Sequence, residues 1–298
     1  MSAPEALRVE RAGNRLDRIV ASWLGCGRRR ARELVRTGTI LVDGRRLPAA
    51  ARLEAGATVT LAAEPEEPPE SLPSDLEPVV LWRDERILAV DKPAGLHTVL
   101  GRSTASAEAC LARDHPELAD LRAKSGDSCF AHRLDRDTSG VVLAAREIAT
   151  WRELRRCFSE RLVDKHYIAL VDGRVEEPFI VDEPLARRRS RVVPAKRGDR
   201  ILEAETHVVP VEAARRWSLV DVTIPTGVTH QIRAHLALAG HAVLGDPQYG
   251  AIPAPGSTRA GQLLHARQVK IEGLVDVTAP IPADFAAAVA RLRSEDAG

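Results

Sequence analysis

Hydrophobic residues in the first sixty positions follow a pattern that predicts two short helices and a small sheet. Residues 15–24 place apolar side chains three and four positions apart, which is the spacing of one buried helix face. Residues 28–37 repeat this spacing among arginines, and Gly38 suits the C-terminal cap of that second helix. Short apolar runs at 39–42 and 57–61 predict two strands. The pattern therefore indicates a compact α+β unit at the N-terminus.

The pattern changes from residue 79 onward, where short apolar runs typical of strands recur between fewer helical stretches. Strands are predicted at 79–82, 87–90, 141–145, 167–171, 201–209 and 217–224. Helices are predicted near 104–113, 147–160 and 230–239. Strand-rich order with irregularly placed helices favours an α+β fold with a mixed or antiparallel central sheet over a regular series of βαβ units.

Charge and proline content divide the chain into three segments. Residues 1–61 carry twelve arginines and six acidic residues, whereas residues 62–78 carry six acidic residues, five prolines and no base. Prolines and like charges keep such a segment extended, so we interpret 62–78 as a linker between domains at 1–61 and 79–298. A basic N-terminal domain is typical of proteins that bind nucleic acid, although charge alone also fits a merely solvated face.

Cysteine spacing and hydropathy exclude several classes of protein. The four cysteines are widely separated and form no CxxC pair, so the sequence predicts neither a zinc site nor a disulfide framework. No stretch approaches the roughly 20 apolar residues of a membrane span, and residues 1–10 lack the apolar core of a signal peptide. We therefore expect a cytoplasmic protein with no bound metal and no membrane partner.

A strongly polar segment of the predicted domain 79–298 lies directly before an apolar strand. It reads HRLDRDTSG, residues 132–140. Loops at strand ends often present functional groups. Asp, Thr and Ser also stabilise ordinary turns, because their side chains hydrogen-bond to nearby backbone groups. From the residues alone, a catalytic loop and a structural turn remain equally open interpretations.

This segment resembles the signature loop of the RluA-type RNA pseudouridine synthases, in which the single aspartate that corresponds to Asp135 is catalytic. Residues 165–170, KHYIAL, resemble the strand that carries the family's active-site tyrosine, here Tyr167. Residues 226–236, TGVTHQIRAHL, resemble the motif that carries its arginine, here Arg233. The resemblance spans about residues 79–286, with further matching segments at 91–95, 245–250, 264–266 and 279–282.

The N-terminal unit resembles the S-four-type RNA-binding domain, which often precedes this catalytic domain. The matching segments are residues 15–17, the arginine-rich helix and residues 38–44. Guanidinium groups contact phosphates through paired hydrogen bonds and stack on bases. The resemblance therefore implies RNA contacts by four arginines of the helix, namely Arg28, Arg29, Arg32 and Arg36.

The implied reaction breaks the bond between ribose and the uracil nitrogen, turns the base and rejoins it through carbon 5. It needs no cofactor, but it needs an ionised carboxylate, and the sequence leaves open whether Asp135 is nucleophile or base. An enclosed carboxylate requires a compensating cation, for which Arg233 is the candidate because its guanidinium fork suits bidentate pairing. Tyr167 is expected to pack against the uracil and assist proton transfer, or else to belong to the sheet core.

Access of the target uridine to Asp135 requires that the base leave its stack. Arg133 and Arg136 flank Asp135, where they either hold the backbone of the extruded nucleotide or stay solvated. One departure from the family is Val228, which stands where a basic residue is usual. We expect this change to affect RNA contacts of the loop rather than activity.

The appended RNA-binding domain favours large-subunit ribosomal RNA as the substrate, and the family resemblance favours a monomer. Transfer RNA is the alternative substrate. A non-catalytic RNA-binding or ribosome-assembly protein is a further alternative, which the joint presence of Asp135, Tyr167 and Arg233 argues against. A glycoside hydrolase with Asp135 and Asp137 as its carboxylate pair is disfavoured, because residues two apart on an extended segment do not enclose a sugar between them.

Overall fold

The computed structural model describes residues 6–10, 12–61, 76–99, 106–189, 191–250 and 261–296. The chain divides into two compact units, Met1–Pro68 and Pro69–Gly298. Residues 62–75, which make up most of the predicted linker, lie outside the described residues. Among the helices of the described ranges, none is long and apolar enough to cross a membrane.

The first unit consists of two helices and a three-stranded sheet. Its elements in chain order are β1 (Ala6–Arg8), α1 (Leu16–Trp23), α2 (Arg28–Thr37), β2 (Ile40–Val42) and β3 (Thr58–Leu61). The strand β3 lies between β1 and β2 and pairs with both in antiparallel register. The two predicted helices and two predicted strands are present, with ends that differ by no more than one residue, whereas β1 is absent from the prediction.

Burial in the first unit follows the predicted faces. The helices and strands share one hydrophobic core, which contains Leu16, Val20, Leu34, Ile40 and Val59. Helix α2 ends at Gly38, whose φ of +82° is a left-handed conformation that favours glycine. The sequence pattern was therefore sufficient for both helices and for β2 and β3, whereas β1 depends on pairing with β3, which lies far from it in the chain.

The second unit carries the remaining elements. In chain order these are β4 (Val79–Arg83), β5 (Ile87–Lys92), α3 (Ala107–Asp114), α4 (Pro116–Ser125), β6 (Ser139–Ala145), α5 (Ile148–Ser159), β7 (Asp164–Asp172), β8 (Phe179–Val181), β9 (Leu185–Arg188), β10 (Arg191–Pro194), β11 (Thr206–Ala213), β12 (Trp217–Thr223), α6 (Gln231–Leu238), β13 (Leu264–Ile271), β14 (Val275–Thr278) and α7 (Ala283–Asp296).

Nine strands of the second unit form one mixed sheet. Its order is β4-β5-β6-β13-β7-β12-β11-β8, and β14 pairs with β13 outside this path. The strands β6 and β13 run parallel, whereas the other neighbouring strands are antiparallel. This is the α+β architecture with a mixed central sheet that the sequence predicts. The strands β9 and β10 form a separate two-stranded hairpin.

Central strands such as β5 and β6 contain continuous apolar runs because both faces of the sheet are covered. In β5 and β6, Leu88 and Val142 belong to one hydrophobic cluster, and Ile87 and Val141 belong to another. Successive side chains of a strand alternate between the two faces, so a continuous apolar run marks a strand that is buried on both sides. A further cluster joins Phe285 of α7 to β7 and β12.

The second unit differs from the sequence prediction in several helices and strands. The strand predicted at 201–209 begins at Thr206, because Leu202 pairs instead with Leu185 of β9 through backbone hydrogen bonds of 2.8 and 2.9 Å. The helices α4 and α7 are absent from the prediction because alanines and charged residues leave no broad apolar stripe. The strands β8, β9, β10, β13 and β14 are also absent from it.

Candidate active site

The three residues that the sequence assigns to catalysis line one cavity of the second unit. The cavity has a volume of about 490 Å³, and its wall includes Asp135, Tyr167 and Arg233 together with Lys165 and His230. Pockets of roughly 300–1,000 Å³ are typical of sites for small ligands. Residues from the loop before β6, from β7 and from α6 therefore converge on a space large enough for a small ligand.

Asp135 stands on a loop that distant parts of the chain hold in place. Thr98 Oγ1 donates to Leu134 O at 2.9 Å and accepts from Leu134 N–H at 3.1 Å. Lys92, whose side chain is fully buried, donates from Nζ to Arg136 O at 3.0 Å. The residues on both sides of Asp135 are therefore anchored through their carbonyl groups, which fixes the backbone that carries the carboxylate.

Gly140 allows this loop to meet β13 at close range. Its φ is +115°, and a Cβ atom at this position would overlap the carbonyl oxygen of Ala266, so only glycine fits. The neighbouring Ser139 places its Oγ 2.9 Å from Nδ1 of His265 in β13. The parallel contact between β6 and β13 thus determines where the Asp135 loop ends.

Arg233 of α6 connects Asp135 to a second carboxylate, Asp246. Its Nη1 donates to Asp135 Oδ2 at 2.8 Å, while its Nε and Nη2 donate to the two oxygens of Asp246 at 2.6 and 2.8 Å. The expected bidentate pair is therefore made with Asp246, and Asp135 receives one hydrogen bond. Burial opposes the charge, but Asp246 and Asp135 raise the pKa of Arg233 above its usual value, so the guanidinium stays protonated.

The loop that carries Asp246 holds Arg233 from two sides. Oδ1 of Asp246 accepts from the backbone N–H of Gln248 at 2.9 Å and of Tyr249 at 3.1 Å. The ring of Tyr249 lies against the guanidinium of Arg233, with 5.2 Å between Cζ and the ring centroid. These contacts fix the direction in which Nη1 points toward Asp135.

A series of hydrogen bonds connects Val192, Tyr249 and His230. The N–H of Val192 donates to Tyr249 Oη at 2.7 Å, and this oxygen lies 3.2 Å from Nδ1 of His230. Because the oxygen already accepts from Val192, the hydrogen of the Tyr249 hydroxyl is available to Nδ1. Burial lowers the pKa of His230, and in a neutral ring that accepts at Nδ1 the hydrogen is on Nε2, which lies 3.7 Å from Asp135 Oδ1.

Burial favours the neutral forms of two further residues of the cavity wall. Tyr167 is 8% exposed, and burial together with the charge of Asp135 raises the pKa of its hydroxyl above the ordinary range. Lys165 donates from Nζ to Thr226 O at 2.8 Å, and burial together with the nearby Arg161 lowers its pKa to about 8. Tyr167 therefore keeps its proton at neutral pH, and Lys165 is a cation that loses its charge in mildly alkaline solution.

His132 has contacts that belong to the fold. Its Nε2 accepts from the N–H of Leu143 at 3.0 Å, and its ring stacks on Phe158 with 4.4 Å between centroids. Burial and the charge of Lys165 lower the pKa of His132 to about 3. A ring that is neutral and accepts a backbone N–H holds the loop in its orientation.

The sequence of the chain is similar to those of known RNA-modifying enzymes. The family described as RNA pseudouridylate synthase matches residues 86–238. The chain is 34% identical to an uncharacterised RNA pseudouridine synthase of Mycobacterium bovis, across 99% of this chain and 98% of that protein. It is 31% identical to ribosomal large subunit pseudouridine synthase D of Nitrosomonas europaea, across 95% of this chain and 86% of that protein.

The chain belongs to the RNA pseudouridylate synthase family. The resemblance to RluA-type enzymes predicted from the loop motif is confirmed, and the protein is an RNA pseudouridine synthase. Among solved structures, it is similar to human RNA pseudouridylate synthase domain containing 1, with a TM-score of 0.55, 25% identity and coverage of 70% of this chain and 85% of that one. Human RNA pseudouridylate synthase domain containing 4 is similar with a TM-score of 0.58 and 23% identity, and the match covers 72% of this chain and 93% of that one. At this identity the similarity supports the fold alone.

In this pseudouridine synthase, the two arginines that flank Asp135 have different surroundings. Both are exposed, and Arg133 lines the cavity. Arg136 donates from Nε to Gly95 O at 3.0 Å and lies 3.9 Å from Asp137, so part of its guanidinium holds a neighbouring loop. Arg133 is therefore better placed than Arg136 to meet a nucleotide.

The helix arginines of the first unit are only partly described. Arg32 and Arg36 are exposed on α2. Arg32 donates to the buried carboxylate of Asp17 at 2.8 Å, and Arg15 donates to the same group at 3.0 and 3.1 Å. The hydrogen bond from Arg15, followed by that from Arg32, holds the pKa of Asp17 well below its usual range. Two further arginines are predicted to contact RNA, Arg28 and Arg29. Their side chains lie outside what the structure describes.

The sequence did not assign Asp246, His230 or Lys165 to the site, although all three lie in segments that match the family. Their roles depend on contacts between residues far apart in the chain, for which no local spacing is a signal. Val228, the departure from the family pattern, packs against the apolar cluster of Leu185. Its place beside the β9–β10 hairpin explains why an apolar residue is stable there.

Proposed function

We propose that this enzyme converts uridine to pseudouridine in large-subunit ribosomal RNA and that Asp135 is its catalytic carboxylate. The observation that carries the proposal is the hydrogen bond of 2.8 Å from Arg233 Nη1 to Asp135 Oδ2 in the wall of the cavity. The side chain of Asp135 is 21% exposed, whereas that of Asp246 is 0% exposed. Of the two carboxylates bound to Arg233, Asp135 is therefore the one that a substrate reaches.

Arg233 supplies the charge that an ionised carboxylate needs in an enclosed site. A carboxylate that leaves water without a partner is strongly destabilised, and a charge-assisted hydrogen bond offsets this cost. Because Asp246 already orients Arg233, Asp135 meets a cation whose position does not depend on the substrate. Asp135 then acts on the ribose as a nucleophile or takes a proton as a base, and both routes require this ionised form.

Tyr167 is proposed to pack against the extruded uracil. Its raised pKa keeps the phenol protonated at neutral pH, and a protonated phenol is a hydrogen-bond donor but a poor base. Its position on the cavity wall supports contact with the base once the nucleotide has left its stack. A contribution to proton transfer at carbon 5 would require that another group accept the phenolic hydrogen.

RNA contacts other than those with the target base are assigned to arginines. We propose that Arg133 and, to a smaller extent, Arg136 hold the backbone of the extruded nucleotide. The first unit is proposed to be an S-four-type RNA-binding domain that contacts RNA through the helix arginines of α2, namely Arg28, Arg29, Arg32 and Arg36. Such phosphate contacts add affinity that falls with salt and add little sequence selectivity.

The choice of ribosomal RNA rests on relatives. Several similar proteins are named ribosomal large subunit pseudouridine synthase D, including that of Pseudomonas aeruginosa at 30% identity over 96% of this chain. The proposal includes a cytoplasmic location, where ribosomes are modified, and a monomeric enzyme. Transfer RNA is the alternative substrate.

The test is tritium release from RNA labelled at carbon 5 of uridine, because the reaction exchanges that hydrogen. Wild type, Asp135→Asn and Asp137→Asn are compared on a large-subunit ribosomal RNA transcript and on transfer RNA transcripts. Asp137→Asn is the matched control, since it removes the same charge two residues away. We expect release by wild type and Asp137→Asn, and at least a thousandfold slower release by Asp135→Asn.

Each outcome bears on a separate part of the proposal. Wild-type rates in Asp135→Asn would remove Asp135 from catalysis. Faster release from transfer RNA than from ribosomal RNA would overturn the substrate and leave the residue assignment intact. Thermal unfolding of each variant checks that a loss of release is not a loss of fold.

A further inference from the structure

Lys165 is a buried cation in the wall of the catalytic cavity. The residue is 8% exposed. Within the described ranges, its Nζ donates to one acceptor, Thr226 O at 2.8 Å, and forms no ion pair. An ammonium has three N–H donors, so two of them are left for a ligand in the cavity. Burial of a charge with a single carbonyl partner is costly, and residues that carry such a cost are typical of functional sites.

The acceptor that holds Lys165 is itself fixed by the fold. Oγ1 of Thr226 donates to Gln231 Oε1 at 2.9 Å and accepts from the N–H of Glu205 at 2.9 Å. The next residue, Gly227, also lies close, because a Cβ atom at that position would stand 3.9 Å from Nζ. The ammonium is therefore oriented before a substrate arrives, as is required of a donor that stabilises charge during a reaction.

Lys165 and Tyr167 share the face of β7 that lines the cavity. The two residues are two positions apart in the strand, where side chains alternate, so they point the same way with Cα atoms roughly 6.5–7 Å apart. The charge of Asp135 raises the pKa of Tyr167, whereas the pKa of Lys165 is lowered by burial and by Arg161. The order along the wall is therefore Asp135, Tyr167, Lys165.

This order places Lys165 at the edge of the uracil that is opposite the ribose. With the ribose at Asp135 and the base against Tyr167, the ring position farthest from the breaking bond is carbon 4, which carries an oxygen. Nitrogen 1 and carbon 4 are opposite corners of the ring, and so are carbon 5 and carbon 2. When the base turns and rejoins through carbon 5, oxygen 2 takes the place that oxygen 4 occupied. One donor opposite the ribose thus meets a carbonyl oxygen before and after the turn.

We propose that Lys165 is a further catalytic residue, which donates a hydrogen bond to the uracil oxygen opposite the ribose and stabilises the detached base. This inference rests on the proposed function, because it takes the position of the ribose from Asp135. When the bond between ribose and nitrogen 1 breaks, its electron pair stays on the base, and conjugation spreads the negative charge to oxygens 2 and 4. A charge-assisted hydrogen bond from an ammonium is strongest to this anion.

Lys165 keeps its proton during these steps. The electron pair of the anion forms the new bond from carbon 5 to the ribose, the hydrogen on carbon 5 leaves as a proton, and nitrogen 1 gains one. The number of protons and electrons in the base is therefore unchanged. Both routes open to Asp135, attack on the ribose and removal of a proton, release the same anion, so the role of Lys165 does not depend on which route is used.

The same contact selects uracil over cytosine. Carbon 4 of cytosine carries an amino group, which is a hydrogen-bond donor like the ammonium of Lys165. Two donors that face each other in an enclosed cavity form no hydrogen bond, and each loses its contact with water. Lys165 therefore favours a base that has an acceptor at carbon 4.

The test compares three variants of the full-length enzyme, Lys165→Met, Lys165→Gln and Lys124→Met. Methionine keeps an unbranched chain without the charge, and glutamine keeps an N–H donor without the charge. Lys124→Met is the control, because it removes an exposed lysine of α4. Single-turnover rate constants are measured on the transcript, ribosomal or transfer, from which wild type releases tritium faster. The product nucleoside linked through carbon 5 is quantified after digestion of the RNA.

We expect Lys165→Met and Lys165→Gln to lower the rate constant at least about a hundredfold, as is typical when one oriented donor to a developing charge is lost. Lys124→Met should stay within about twofold of wild type, since exposed substitutions have small effects. The dissociation constant for RNA should change by less than about threefold in all three variants, because the negative charge on the base develops only as the bond breaks.

A second transcript, with 4-thiouridine in place of uridine, tests the contact itself. Sulfur is a weak hydrogen-bond acceptor, so the substitution removes most of the partner of Lys165 from the substrate. The loss caused by Lys165→Met should then shrink to less than about tenfold, because two changes to one contact are not additive. A structural role of Lys165 would give the same loss on both transcripts.

Three results would overturn the role of Lys165. They are a rate constant like that of Lys124→Met, an equal loss on uridine and 4-thiouridine, and weaker RNA binding with a smaller salt slope at an unchanged rate constant, which would indicate a phosphate contact. Wild-type rates in Asp135→Asn would instead overturn the proposed function, and tritium release from neither RNA would overturn both. Thermal unfolding checks the fold, and Lys165→Gln decides the test if Lys165→Met does not fold.

Discussion

Arg233 and Asp246 form a buried bidentate ion pair that leaves one guanidinium nitrogen, Nη1, for Asp135. In such a pair the two charges stabilise each other, and without Asp246 the buried guanidinium would keep only the partly exposed Asp135 as a carboxylate partner. Asp246 does not reach the substrate space itself, since its side chain is fully buried. It is therefore a positioning residue that acts on Asp135 through Arg233.

The substitution Asp246→Asn is expected to lower both turnover and stability. It leaves Arg233 with a neutral partner, so kcat should fall at least a hundredfold while KM changes little. The free energy of unfolding should fall by about 3 kcal/mol, as is typical when one partner of a buried ion pair is removed. Glu212→Gln is the control, because its partner Arg293 is exposed and such pairs contribute about 0–1 kcal/mol. A folded Asp246→Asn enzyme with wild-type kcat would remove the positioning role.

Tyr249→Phe tests whether the Tyr249 hydroxyl fixes the tautomer of His230. The variant keeps the ring against Arg233 but removes the hydroxyl that contacts Nδ1. We expect a mixture of His230 tautomers, visible in the nitrogen NMR shifts of the imidazole, and a several-fold lower kcat because Nε2–H no longer faces Asp135 in every molecule. Unchanged imidazole shifts would contradict the assignment of the proton to Nε2.

Tyr167→Phe separates packing against uracil from proton transfer. If the ring acts by packing, KM and RNA affinity should stay within about twofold of wild type, because the aromatic surface is retained. A fall in kcat of tenfold or more in single-turnover measurements would indicate that the hydroxyl takes part in proton movement. Full activity in this variant would exclude that role and leave the packing role in place, which Tyr167→Ala then tests.

His132 should make stability depend on pH below neutrality. Its pKa is about 3 in the folded protein and roughly 6.5 in the unfolded chain, so the unfolded chain binds an extra proton between these values. The stabilisation is complete above about pH 6.5 and is lost as the pH falls toward 3, by up to about 1.4 kcal/mol per pH unit.

The variant His132→Phe keeps the ring that stacks on Phe158 but loses the acceptor for the N–H of Leu143. At pH 7 it should be less stable by about 1–3 kcal/mol, because a buried donor is left unsatisfied. Its difference from wild type should shrink on acidification, as measured by denaturant unfolding at several pH values. Parallel curves for the two proteins would contradict the role of the His132 proton.

Gly140→Ala should prevent the loop of Asp135 from closing on β13. The added Cβ overlaps the carbonyl oxygen of Ala266, and the positive φ is unfavourable for alanine. We expect a loss of more than about 4 kcal/mol or insoluble protein. Gly198→Ala is the matched control, because Gly198 also has a positive φ but no atom within 4 Å of the added Cβ, so its cost should be about 1–2 kcal/mol.

The sequence predicted those parts of the fold in which neighbours along the chain decide the structure. Both helices of the first unit and strands such as β5 and β6 follow local patterns of burial. The strand predicted at 201–209 begins later in the structure because Leu202 pairs with Leu185. The spacing of apolar residues along the chain does not predict such a contact. The motifs identified Asp135, Tyr167 and Arg233 one by one, but their convergence depends on the order of β6, β13 and β7 in the sheet. Asp246 escaped assignment for the same reason.

The β9–β10 hairpin stands apart from the nine-stranded sheet, although it arises between the strand that carries Tyr167 and the helix that carries Arg233. A change in its length or charge leaves the pairing of the sheet strands as it is. Its base is tied to the site, because Leu185 and Val192 pack with Ala234 and the N–H of Val192 donates to Tyr249. The outer end of the hairpin can therefore vary during evolution at little cost to the sheet, whereas its base is constrained by the same contacts that hold Arg233.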